Sequence, residues 1–147
     1  MKKPQYPIAL VELHDSLVEE VCISPGGEAT IHFHHLEVLY EEDRGHFQTW
    51  AHKALLRLHK CTAIRLDGAW NAENEGDFVA RVLDGDIYDD ENRELSPHTM
   101  IAGRVKVHRL RFMFGSGAIT VLCGFAQLEL LEPTRRLEDW LGPLVSS

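Results

Sequence analysis

Two runs of alternating and β-branched residues flank Ser24-Pro25-Gly26-Gly27-Glu28, and that centre is the punctuation of a β-hairpin. On its outgoing arm Ile31 and Phe33 are apolar at odd positions, whereas beyond them Leu36, Val38 and Tyr40 are apolar at even ones. The phase flips at His34-His35. Side chains alternate along a strand with a period of two, so the flip requires an extra residue and predicts a β-bulge or bend at that point.

The stretch FQTWAHKALLRLHKCTAIRLDG reads in two ways. Phe47, Trp50, Ala51, Ala54, Leu55, Leu58 and Cys61 make a helical stripe, which gives a helix near 47–61 as the alternative. As a strand, Trp50, Ala54, Leu56, Leu58, Ile64 and Leu66 share one face through to the turn Asp67-Gly68, and this reading is preferred because it explains the longer stretch. Asn71 to Asp77 reads as polar loop, FVARVL as a short strand, and DGDIYDDENRELSPH as a long exposed connection.

Further along, RVKVHRLRFMF and AITVLCGFAQLELLE read as strands joined across Gly115-Ser116-Gly117. A second phase slip falls at His108-Arg109. Ile119 to Phe125, apolar on both faces, reads as mid-sheet. TRRLEDWLGPL suggests a short C-terminal helix, with Leu137, Trp140 and Leu141 packing back. The sum is a mainly β fold, an antiparallel β-sandwich or open barrel; a helix at 47–61 would make it α+β instead.

A chain of 147 residues can bury one core, which implies a single β-rich domain over 1–147. No apolar run reaches membrane length, and the first one, Ile8 to Val11, stops at Glu12, so a cytoplasmic location is expected. Cys22, Cys61 and Cys123 stand apart without a Cys-x-x-Cys pair and read as buried thiols of a reducing compartment. A net charge of -8 disfavours nucleic acid and favours basic protein partners.

Alternation puts His32 and His34 on one strand face, about 7 Å apart at Cα. Such a pair can supply two ligands of a divalent metal, with His108, at the other phase slip, as the third; His52, His59 and His98 are further candidates. The preferred reading is polar strand surface, because two ligands do not hold a catalytic metal. The cupin motif is grazed by Gly26 and His-x-His, but the glutamate spacing departs from it, and no second motif follows. Leu13-His14-Asp15-Ser16 cannot form a triad from adjacent residues, and reads as a polar corner before a strand. Asp84, Asp86, Asp89, Asp90 and Glu91 are candidate binding residues for a basic partner; their spacing does not fit an EF-hand. Arg104, Lys106, His108, Arg109 and Arg111 form a basic strip, read as a sheet face paired with carboxylates of the next strand. Phosphate-loop, dinucleotide and zinc-type cysteine fingerprints are absent.

Leu13-His14-Asp15-Ser16, followed by a strand, a hairpin and a second strand, resembles the opening of small β-rich bacterial protein families, some linked to immunity proteins that neutralise polymorphic toxins. WAHKALLRLHKCTAIRLDG and GSGAITVLCGFAQLELLE look like the middle and closing strands of such domains. The resemblance implies a protein-binding role and carries no catalytic residue. The expectation is therefore a non-enzymatic cytosolic protein-binding domain, immunity-like. Its alternatives are a metal-dependent or ligand-binding enzyme using the histidines, and a homo-oligomeric structural domain.

Overall fold

The hairpin at Ser24–Glu28 forms as read: β1 (Ile8–Ser24) and β2 (Glu28–Asp43) pair antiparallel from Ser24↔Glu28 out to Ile8↔Tyr40. The computed structural model describes residues 2–68, 80–115 and 117–144. Asn71–Asp77, Phe78 and Val79 of the FVARVL strand, and Ser116 lie outside the described residues. The remaining strands are β3 (His46–His59), β4 (Ala63–Gly68), β5 (Ala80–Tyr88), β6 (Val105–Lys106), β7 (Arg109–Phe114), β8 (Gly117–Leu122), β9 (Phe125–Arg136) and β10 (Trp140–Leu141). They make one open antiparallel sheet of ten strands in the order β4-β8-β7-β5-β1-β2-β3-β9-β6, with β10 also pairing β3.

The strand reading preferred for the stretch from Phe47 holds, although it divides into β3 and β4; the alternative helix near 47–61 is not formed, and the helix expected near Trp140 is corrected. Residues 47–59 are strand, because β3 is paired to β2 on one edge and to β9 and β10 on the other, satisfying the backbone along its length. The expected C-terminal helix is also strand: Trp140 and Leu141 pair with Phe47 and His46, and both side chains are exposed rather than packed back. Among the described residues the single helical element is the 3-10 turn Pro97–Met100. None is long and apolar enough to cross a membrane.

The bulge predicted at His34-His35 is present. Register runs Phe33↔Ala54 and then Leu36↔His52, three steps on β2 against two on β3, and Phe33 and Leu36 are both buried as a result. Matching irregularities lie beside it, at Glu12/Leu17 in β1 and around His52 where β9 carries extra residues and Pro133, which has no N–H to give. Aligned bulges bend neighbouring strands together and raise their twist. The bend brings β7 over β2. These strands are three steps apart in the order, about 14 Å on a flat sheet. Yet Phe33 and Phe112 meet edge to face with ring centroids 6.0 Å apart.

The second phase slip, at His108-Arg109, is a change of partner: β6 pairs with β9, whereas β7 pairs with β5 and β8. The chain crosses between the two halves of the sheet at Cys61-Thr62, Val107-His108 and Cys123-Gly124, and these crossings bond one another. Val107 N–H donates to Gly124 O (3.0 Å), Cys123 N–H to His108 O (3.1 Å) and Thr62 N–H to Leu122 O (2.8 Å). The apolar strand expected at 119–125 is thus split at Cys123-Gly124. Leu56, Leu58, Val82, Leu110 and Val121 from both halves join one buried cluster.

His52 sits fully buried on the bulge line. Its Nδ1 lies 2.8 Å from Leu131 O and must donate to it, leaving Nε2 to accept from the Tyr40 hydroxyl at 2.8 Å. Burial lowers the pKa of His52 and pushes the Tyr40 phenol up to about 12. A histidine held neutral binds fewer protons folded than unfolded, so stability should fall as pH drops through 6.5 towards the lowered native value. Urea unfolding at pH 7 and pH 5 should show that loss in the wild type, and a smaller one in His52→Leu.

Candidate functional site

Leu13-His14-Asp15-Ser16 proves to be a corner within β1 rather than before a strand. Between Glu12↔Glu37 and Leu17↔His35, five steps on β1 oppose two on β2. The excess is absorbed by Asp15 in the left-handed region (φ 65) and by the buried Ser16 hydroxyl, which donates to Leu13 O at 2.7 Å. His14 Nδ1 donates to Leu83 O at 2.5 Å and ties the corner to β5. His14 Nε2 also lies 3.5 Å from Asp15.

Beyond the corner, the described residues of β1 and β5 pair at Leu17↔Arg81 and Val18↔Ala80. Where the strands part, a groove of about 740 Å³ opens, walled by Leu10–His14 on one side and Asp84–Ile87 with Glu94–Pro97 on the other. Its described lining carries Glu12, Asp84, Asp86 and Glu94, with no lysine or arginine. Desolvation, followed by the neighbouring charge of Asp84, raises the carboxyl pKa of Asp86; Arg109 and Arg111 pull the other way and do not win. Gly85 lets β5 pack closely on the core beside the groove, since a Cβ there would stand 2.7 Å from the Phe112 ring and 3.3 Å from Leu13 Cβ.

The acidic candidates therefore divide. Asp84 and Asp86 face the groove, on what is strand β5 rather than an exposed connection. Asp89 is a turn former: its Oδ1 accepts the N–H groups of Glu91 and Arg93, and the Arg93 N–H foremost holds its carboxyl below the usual range. Glu91 is paired with Arg93 (3.0 Å) and Asp90 with Lys106 (3.5 Å). Of the basic strip, Lys106 reaches Asp90 at 3.5 Å, Arg109 lies over the Tyr88 ring, and Arg111 stands opposite Asp86 in the β5–β7 register.

The three metal candidates do not converge. His34 Nδ1 lies 3.2 Å from Glu19 on the exposed hairpin face, while His108 belongs to the crossing between β6 and β7. His32 instead joins Glu20 and Cys22, with donor atoms within 4.8 Å of one another. The neighbouring Glu20 carboxylate, foremost, raises the pKa of the Cys22 thiol and works against the thiolate that a metal would need. Cys22 is also exposed, contrary to the expectation of three buried thiols, and Cys61 and Cys123 are in contact across the crossing. Among the further histidines, His59 pairs with Glu28 and His98 lies in the 3-10 turn.

No protein-family model, curated protein or solved structure matches this chain.

A second donor cluster went unnoticed in the sequence: Glu42 at the end of β2, His46 at the start of β3 and Asp139 ahead of β10. These residues are separated in sequence by up to 97 positions, from 42 to 139; the β2–β3 hairpin joins the first two, and the pairing of β9 and β10 with β3 brings up Asp139.

Proposed function

We propose that this protein is a non-enzymatic protein-binding domain whose bent sheet forms a sandwich-like scaffold, and that the groove between β1 and β5 receives an extended basic segment of a partner. One observation carries the reading: four carboxylates, Glu12, Asp84, Asp86 and Glu94, line the groove without a lysine or arginine among its described lining residues. Where the strands diverge, the β1 edge and the Asp84–Asp86 part of β5 form walls to which an extended chain can add its own backbone bonds, while alternate side chains enter the groove; beyond them Ile87 and Tyr88 are already bonded to Leu95 and Glu94. Leu10, Val11, Leu13 and Ile87 supply apolar contact, and a partner's cations would offset the desolvation and, after it, the Asp84 charge that raise the Asp86 carboxyl. The net charge of -8 would speed encounter with a basic partner. An immunity-like role in the cytoplasm agrees with this chemistry, with the Leu13–Ser16 resemblance and with free thiols.

A short peptide of alternating lysine and valine, followed by fluorescence anisotropy, tests the reading. Asp84→Asn with Asp86→Asn should weaken binding about tenfold and flatten its salt dependence. Asp90→Asn with Glu91→Gln should change it little, because those carboxylates already have partners. Equal binding by both double variants would remove the groove from the account.

A second reading, self-association, has its own observation: β4 closes one end of the strand order and leaves Leu66 56 % exposed. Light scattering over a concentration series distinguishes the two, since the first reading predicts a constant mass.

A further inference from the structure

We propose that Glu42, His46 and Asp139 form a site for a first-row divalent cation of the zinc type, which clasps the C-terminal strand β10 onto the β2–β3 hairpin. His46 Nε2 lies 2.8 Å from Asp139 Oδ2 and 3.7 Å from Glu42 Oε2, and one donor atom from each residue falls within 4.8 Å of the others. A span of that size suits one small ion, and an imidazole with two carboxylates is a donor set for zinc or manganese rather than for magnesium or calcium, which prefer oxygen throughout.

Each carboxylate has a further hydrogen-bond partner, in part on the oxygen that faces His46. Gln48 Nε2 donates to Glu42 Oε2 at 2.9 Å while its Oε1 accepts the Trp50 Nε1–H at 3.1 Å. Arg136 donates to both oxygens of Asp139 at 3.1 Å. A carboxylate has about four lone-pair directions, so either group can keep its bond and still bind a cation. Such outer contacts fix ligand orientation. The surrounding charges are Glu42, Asp43 and Asp139 against Arg136, a balance that favours a cation; the ion would displace the proton that His46 shares with Asp139.

The tail gives the clasp a purpose. β10 has two residues and two paired positions, and its neighbourhood adds Leu137 N–H to Thr49 O and Gly142 N–H to Gly45 O, both at 2.8 Å. So short a strand is weakly held by its ladder alone.

The test is calorimetric titration of the untagged full chain with zinc, paired with hydrogen exchange over Leu137–Gly142. Expected are one bound ion per chain, affinity lowered about 10- to 100-fold or more in His46→Ala and in Glu42→Gln, and slowed exchange of that segment on adding zinc. Glu42→Gln leaves the Asp139–Arg136 pair in place, so a binding loss there does not come from a detached tail. Absence of zinc binding overturns the proposal. So does binding that survives both variants and vanishes in Cys22→Ser, which would move the ion to Glu20, Cys22 and His32.

Discussion

Phe112→Ala should lower the unfolding free energy by about 3–5 kcal/mol in urea titrations, the usual cost of removing a buried aromatic ring. Phe112 is fully buried, stands edge-on to Phe33 at 6.0 Å, and so joins the two halves of the bent sheet. Its ring also covers the Cα of Gly85 so closely that an added Cβ would fall 2.7 Å from Cδ1. Gly85→Ala alone should therefore cost about 1–3 kcal/mol through overpacking. Combined with Phe112→Ala, the same methyl group enters the space the ring has left, and the two losses should sum to less than their separate values. Strict additivity would mean that Gly85 and Phe112 do not share a contact.

His52→Leu should destabilise by about 2–4 kcal/mol, since it leaves the buried Tyr40 hydroxyl and the part-buried Leu131 carbonyl without their partner. Tyr40→Phe should cost about 1–3 kcal/mol by leaving His52 Nε2 without its donor. Removing both partners restores an apolar contact, so the double variant should be more stable than the sum of the single losses predicts. Independent effects in this cycle would deny that the Tyr40–His52 pair acts as one unit across the bulge line.

Alternation was readable wherever one strand face meets the core. Ile31, Phe33, Leu36, Val38 and Tyr40 are all buried, and the change of parity at His34-His35 marked a real bulge. The stripe from Phe47 to Cys61 kept a helix open as the alternative because β3 is covered on both sides in places: Ala51 and His52 are buried as well as Ala54 and Leu56, which imitates a helical period. Trp140 and Leu141 looked like an apolar helix face yet stand exposed in a two-residue strand, because β3 had backbone groups left to pair beyond β9. The groove was half legible. Asp84 and Asp86 stood out as acids, but Glu12 and Leu10 reach the same space only through the corner at Leu13–Ser16, and local sequence carries no signal for a meeting across the sheet. Glu42, His46 and Asp139 were hidden for the same reason.

The groove is best tested by titrating the alternating lysine–valine peptide into isotopically labelled protein and following backbone amide resonances residue by residue. The account predicts saturable shifts concentrated at Leu10–His14, Asp84–Ile87 and Glu94–Ser96, the residues that line the groove. Binding with shifts confined to other faces, or an unchanged spectrum at saturating peptide, would contradict it.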